Sequence, residues 1–401
     1  MHPHRFFLLV TMATLLTAGA LFGQETFEEF KKQQQHGKIA EREAFEQYKA
    51  EVTAQYERFV QEHNKAFNEY KRKISASWGK TNAVTSTRTR WVGYDEDLTA
   101  RKSVDFEGGQ ARVEVLLDPR EAQDPDAVKS RLGEEVSRLL TDKRTADPME
   151  MRDRTPDLPT PILAGQVETR AGKPVSASNA PAFVEELLAS TTPQQKETVG
   201  EDGKKRVAVS VQFSLIPNHV RVRADQFKDL ILRRSREQNI DAPLVFAVVH
   251  TESYYNPRAR SAAPAFGLMQ LVPSSGARAA HLFLFGRDDV VNADYLYDPA
   301  NNVQLGSGYL RLLMSREFKD VRDDRSRMLC AIAAYNTGPA NVSKTFTGKK
   351  NIPEAVKVIN GLTSDQVFSR MRTQLPYEET RAYVRNVSER VSMYSDWKNH
   401  D

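Results

Sequence analysis

The sequence predicts two folded regions of different class, an α+β N-terminal domain over residues 75–223 followed by a mostly α domain over residues 224–401. Three observations predict this. Residues 80–118 are enriched in Thr, Val, Tyr and Trp, and Asp105-Phe106-Glu107-Gly108-Gly109 separates two short runs, SVDF and ARVEVLL, as in a hairpin. Val207 to Ile216 alternates apolar and polar residues and reads as a final strand. From Ala224 onward the signals are helical, with short breaks at Asn256-Pro257, Pro273, Asp298-Pro299, Gly338-Pro339 and Pro376.

In chain order, Arg5 precedes the apolar stretch Phe6 to Ala20, and Ala18 and Ala20 flank Gly19 as small residues do at a signal-peptide cleavage site. Residues 1–20 are therefore expected to be a secretory signal, with an uncleaved anchor as the alternative; the stretch is short for a span of about 20 residues. Thr17-Ala18-Gly19 has the front of a bacterial lipoprotein box, but Ala20 stands where the box requires Cys, so no lipid anchor is expected at Ala20. The expected location is the periplasm or cell envelope, as a soluble protein or one held peripherally at the outer membrane. Within residues 21–74, Phe45, Tyr48, Val52, Tyr56, Phe59, Ala66, Tyr70 and Ile74 recur mostly every three or four positions, which predicts a long amphipathic helix from Glu41 to about Ile74. That helix is either a spacer or partner surface for envelope proteins, or a helix packed on its own domain. Asp124 to Thr141 and Ala180 to Ser190 read as helices, with a proline-rich loop over 147–173 between them. Residues 75–223 carry no recognisable catalytic constellation, and the chain has no internal repeat.

Composition removes several classes of function. Mean hydropathy is −0.56, which excludes a multi-span membrane protein. The 57 Lys and Arg against 53 Asp and Glu leave a net charge of only +4, with no clustered basic run, so nucleic acid is not an expected partner. The slight excess sits late in the chain, where 26 basic and 20 acidic residues follow from Arg221, against 31 and 33 before it. One cysteine, Cys330, excludes an internal disulfide framework and a Cys-rich zinc site. His250 lies two residues from Glu252, on roughly the opposite side of a helix, and His219 and His281 stand alone, so no metal is expected. There is no G-x-S-x-G elbow, and Cys330 in the apolar MLCAIAAY reads as core.

The residue that points to chemistry is Glu252. Asp241 and Pro243 open a helix whose next residues, LVFAVV, are apolar on every side, so it must run through a core. Val245, Val248, Val249 and Glu252 share one side of it, which puts a carboxyl group where an apolar wall meets a loop. Desolvation there raises the pKa, as a general acid requires. The alternative is an ordinary solvated Glu in a last turn. Downstream follow Glu252-Ser253, Asn256-Pro257, Ala259, Ser261, Gly267-Leu268-Met269-Gln270-Leu271, Pro273 and Ser275, then Asn302-Val303 with Gly306 and Tyr309, then Ala333-Ala334-Tyr335-Asn336-Thr337-Gly338-Pro339, and last Glu379-Thr380-Arg381 with Tyr383-Val384.

This series resembles the soluble-lytic-transglycosylase-type catalytic domain, a lysozyme-like fold that cleaves bacterial peptidoglycan. Each motif alone is weak; four in the same order over about 140 residues are specific. Trp78-Gly79, the strand pair around Phe106, and Asn218-His219-Val220 before Val222-Arg223 resemble more loosely the first domain of the membrane-bound lytic murein transglycosylase C family. The resemblance implies that Glu252 is the sole catalytic acid and base, acting on glycan strands without a cofactor. It implies that Ser253 is an adjacent hydroxyl for carboxylate or substrate, and that Ser261, Gly267, Met269 and Gln270 lie along the sugar-binding cleft. Tyr335 and Asn336 close a helix near the acid, and Tyr383 is the aromatic residue across the groove; the alternative for each tyrosine is core packing with a satisfied hydroxyl, and it has more force for Tyr383 than for Tyr335. Met269 is more an apolar wall than a ligand contact. The chain departs from the family in Pro264-Ala265-Phe266, where Gly-Ala or Asp-Ala is common, and Pro264 fixes φ and removes a donor. Ala277 to Leu296, with its HLFLF run, reads as a lid or interdomain contact. The implied reaction cleaves the bond between N-acetylmuramic acid and N-acetylglucosamine to a 1,6-anhydromuramyl end. A hydrolytic muramidase on the same scaffold and a non-catalytic wall-binding module are the alternatives.

Overall fold

The computed structural model describes residues 64–143, 160–261 and 264–397, together with residues 47, 50–51, 54–55, 57–58 and 60–62. The expected signal at 1–20 with Ala20, the start of the amphipathic segment before residue 47, and the first part of the proline-rich loop lie outside these residues. The chain divides into two units, residues 1–59 and 60–401. In the first, every described residue is helical and exposed.

The second unit begins with helix α1 at residues 64–78, which runs four residues past the expected end at Ile74. One side of it is buried. Tyr70, Ile74 and Trp78 pack with Val92, Tyr94 and Leu116 on one face of a five-stranded sheet. From residue 64, then, the amphipathic pattern marks a helix packed on its own domain. The strands are β1 (Arg90–Tyr94), β2 (Ala100–Asp105), β3 (Gln110–Leu117), β4 (Gln194–Val199) and β5 (Lys205–Ser214), in the order β1-β2-β3-β5-β4 and antiparallel throughout. The expected hairpin is β2–β3, closed where Asp105 faces Gln110 and Gly108 N–H donates to Asp105 Oδ1. Alternation splits β3 between the faces. Leu116 meets α1, whereas Ala111, Val113, Val115 and Leu117 face the main core with Val209, Val211 and Phe213 of β5. Helices α2 (Pro125–Thr141) and α3 (Ala180–Ser190) cover that second face through Leu132, Val136, Leu139 and Phe183.

Beside α1 the sheet buries one ion pair. Arg101 reaches Glu114 at 2.6 Å, and its guanidinium lies 4.3 Å from the Trp78 ring centroid, whose indole N–H donates to Leu98 O.

The sheet-bearing region passes into the helical one without a gap, because α4 (His219–Gln226) spans the expected boundary at 223/224. Helices α5 (Lys228–Gln238), α6 (Ala242–Ser253), α7 (Arg278–Phe285), α8 (Ala293–Tyr297), α9 (Pro299–Leu312), α10 (Asp324–Thr337), α11 (Pro339–Thr347), α12 (Ile352–Ile359), α13 (Ser364–Gln374) and α14 (Glu378–Met393) follow, in keeping with the mostly α expectation. All twelve residues of α6 are buried, and it packs against α14 and α5. In α10, Cys330 is wholly buried and desolvation pushes its thiol pKa up, so it is core. Helix α7 packs on α9, with Leu284 against Gly308, and leaves Leu282 and Phe285 exposed.

Arg223 joins the two regions. Its guanidinium is buried and donates to Ile162 O and Gln166 Oε1 on the sheet side, and to Tyr254 O and Tyr255 O at the end of α6. It also lies 3.5 Å from the centroid of the Phe106 ring. No carboxylate is among these partners, and desolvation lowers its pKa to about 9, which leaves it charged at neutral pH.

Candidate active site

Helix α6 ends abruptly. Tyr254 and Tyr255 both take positive φ, 50° and 58°, an uncommon conformation for bulky residues that lifts the chain out of the helix straight after Ser253. Arg223 holds both of their carbonyls, so the last turn of α6 is fixed from outside. Glu252 sits in that turn, 6% exposed, on the wall of a groove of about 580 Å³. Burial among the α6 valines raises its pKa to about 7. Tyr383 and Arg88 pull it down and Glu379 pushes it up, each by less than burial does.

Two tyrosines stand by the acid. Tyr335 donates its hydroxyl to Met269 O at 2.8 Å, and burial keeps it protonated, its pKa well above the usual value. Tyr383 is buried in α14 and near enough to Glu252 to stabilise its carboxylate, but its hydroxyl does not meet the geometry of a formed hydrogen bond to any group. Asn336 lines the groove and accepts from Thr380 Oγ1 at 2.6 Å.

The loop that brings Gln270 to the groove turns at Gly267 and Gln270. Gly267 has φ 75°, and a Cβ there would come within 2.4 Å of Leu296 O and Asn302 Nδ2, so only glycine fits. Gln270, at φ 47°, donates Nε2 to Ala259 O and Gly267 O, which fixes the amide orientation and leaves buried Oε1 without a partner at the groove wall. Ser261 also lines the groove, and its hydroxyl accepts from Ala265 N. Ser261 N donates to Ala265 O, a pairing that asks no N–H of Pro264.

Family models match both regions. Transglycosylase SLT domain matches residues 229–357, and membrane-bound lytic murein transglycosylase C, N-terminal domain, matches residues 52–226. The membrane-bound lytic murein transglycosylase C of Sodalis glossinidius is 30% identical over 318 residues, 79% of this chain and 85% of its own. That of Histophilus somni is 30% identical over 340 residues, 83% of this chain and 88% of its own. The chain belongs to the membrane-bound lytic murein transglycosylase C family.

Three expectations drawn from the lytic transglycosylase resemblance need correction. Ser253 does not face carboxylate or substrate; its hydroxyl is fully buried and donates to Val249 O and Leu268 O, tying α6 to the Gly267 loop. Met269 is equally buried, its sulfur against Gly306, and contributes to the site only through its carbonyl and through the N–H it donates to Asn302 Oδ1. Tyr383 does not line the groove; it is buried in α14 within reach of Glu252. The run from Ala277 to Leu296 supplies no residue to the lining of the groove.

Other groove residues of this lytic transglycosylase family member escaped sequence reasoning. Asn341 and Tyr377 line the groove, as does Arg88 from the segment ahead of β1; Tyr309, which the sequence offered only as part of a motif, lines it too. Tyr377 precedes the Glu379-Thr380 motif and could have been found from it; Arg88 has no motif around it. Glu379 is the other carboxylate among the described lining residues, and it is 71% exposed and 3.5 Å from Arg88. Asp288, the next acid after Glu252 in sequence, is bound by Arg278 and does not line the groove. His250 is buried against Tyr394 with its pKa lowered to about 3, a neutral core group. Among the described residues no His, Cys, Asp and Glu cluster is fit to hold a metal ion.

Proposed function

We propose that the chain cleaves peptidoglycan glycan strands as a lytic transglycosylase, using Glu252 alone. What carries the reading is a single buried carboxyl with a pKa of about 7 on a groove of about 580 Å³, beside an exposed, Arg-paired Glu379. A carboxyl poised at that pKa is protonated often enough to donate near neutral pH and basic enough to take a proton back. Glu252 protonates the oxygen between N-acetylmuramic acid and N-acetylglucosamine as that bond breaks. The acetamido group assists at C1, and the Glu252 carboxylate then removes the proton of the muramyl 6-hydroxyl. The C6 oxygen closes on C1, the 1,6-anhydro ring forms, and the acid is returned protonated. No water is consumed.

Glu379 supports the competing hydrolytic reading, since a muramidase pairs its acid with a second carboxylate. Product mass separates the two. Muropeptides released from purified sacculi are expected to carry muramyl ends lighter by one water than lysozyme products, both from the wild type and from Glu379→Gln. Predominantly reducing ends would assign the hydrolase. The substrate and the apolar N-terminal stretch also support a place in the periplasm or cell envelope, without a lipid at Ala20. No helix among the described residues is long and apolar enough to cross a membrane.

A further inference from the structure

The groove is not built by the helical region alone. Arg88 belongs to the sheet-bearing region and is the single cation among the described residues that line the groove. Its position is set by the backbone around it. Thr87 N donates to Arg90 O at 2.8 Å, Arg90 N to Thr87 Oγ1 at 3.2 Å, and Phe106 N to Thr89 O at 3.0 Å. Ser86 Oγ accepts from Val92 N and donates to Val92 O, so the segment is stitched to β1 on one side and to the end of β2 on the other. The side chain is 40% exposed, and its contact with Glu379 is a single long one of 3.5 Å to a carboxylate itself 71% exposed. Such a pair is weak and readily exchanged, and a guanidinium has five donors in a fork that matches a carboxylate.

The glycan backbone offers this cation nothing ionic, because its sugars are N-acetylated and neutral. The anions of a peptidoglycan strand hang from the 3-lactyl arm of the muramyl residue, as the lactyl carboxylate itself or as carboxylates of the peptide attached to it. We propose that Arg88 is a specificity-determining residue that binds a carboxylate of the muramyl lactyl arm, displacing Glu379 and giving the sheet-bearing region a part in choosing substrate. The inference rests on the glycan-cleaving reading of Glu252.

The test compares full-length wild type with Arg88→Ala and Arg88→Lys on three probes: peptide-bearing strands, strands stripped by an amidase so that only lactyl carboxylates remain, and chitohexaose, which has no carboxylate. Arg88→Ala is expected to raise KM for peptide-bearing strands about tenfold, the loss of one charge-assisted pair, with kcat within about twofold. Arg88→Lys recovers part of that loss, and chitohexaose affinity does not change. Insensitivity on stripped strands assigns the peptide's carboxylates as the ligand, whereas a similar loss on both strand types means that Arg88 reads the anion of the arm in either form, as a peptide carboxylate or as the lactyl carboxylate that the amidase frees. The proposal is overturned by an unchanged KM on both strand types, or by an equal loss for chitohexaose. It is also overturned if the effect falls on kcat alone, with its alkaline limb moved upward, since Arg88 would then act through Glu252. Reducing ends from the wild type would remove the transglycosylase reading while the KM pattern still judged Arg88.

Discussion

Glu252→Gln is expected to lower turnover by at least about 10²- to 10⁴-fold, the contribution of a general acid, while glycan binding survives. Glutamine keeps the shape of the protonated acid but has no proton to give. In the wild type kcat should fall as pH rises through about 7, where the acid ionises. The same shift makes a parallel prediction for stability. An unfolded Glu titrates near 4.5, so between that value and about 7 the folded protein binds the extra proton. Stability therefore declines as pH rises through this window, by up to about 3 kcal/mol at 1.36 kcal/mol for each unit. The Gln variant has no such term. It should melt at a higher temperature than the wild type at pH 8 and lose that advantage near pH 4. Calorimetry at the two pH values, with turnover on sacculi, checks both halves; near-normal turnover would remove Glu252 from the mechanism.

Arg223→Ala should be the most damaging change outside the groove, costing about 3 kcal/mol or more. The substitution leaves the carbonyls of Tyr254 and Tyr255 without their donor, takes from Ile162 O one of its two donors (Gln166 Nε2 remains) and uncovers Phe106. Each buried acceptor left unmade costs about 1–3 kcal/mol. Two of these carbonyls belong to the positive-φ turn that ends α6, so the position of Glu252 should loosen with the fold. Denaturant unfolding and kcat measured on the same samples are expected to fall together. An unchanged midpoint would mean that the turn holds without the clasp. A fragment starting at residue 224 lacks this side chain, so it should be less stable than one starting at 218, and independent folding of the helical region is best sought with Arg223 included.

Legibility in the sequence followed how locally each feature is determined. Helix α6 could be bounded because Pro243 suits a first turn and an unbroken apolar run leaves one interpretation. The β2–β3 hairpin was readable from its Asp and Gly turn, and β5 from its alternation. Strand β4, QQKETV, was not, because it is an edge strand with one buried residue and so carries no apolar period. Strand β1 lay unresolved within the Trp- and Tyr-rich stretch. In the site, Glu252, Ser261, Gln270, Tyr335 and Asn336 line one groove. Ser253 could not be oriented from sequence because a serine in a helix can turn back to the carbonyl four residues earlier, and this one does. Arg88 was out of reach for a different reason: 164 positions separate it from Glu252, and only the packing of the sheet-bearing region brings them to one groove.

The lone thiol in α10 gives the molecule a clock. Cys330 is inaccessible while the helical core stays closed, and its high pKa keeps it from forming the reactive thiolate. A thiol reagent in excess can modify it only in molecules whose core has opened, so the labelling rate reports opening of the layer that carries Tyr335 and Asn336. An oxidising compartment performs the same assay continuously. There a folded copy keeps its sulfhydryl, an unfolded one is marked by mixed disulfide, and one mass increment separates the two populations without any engineered probe.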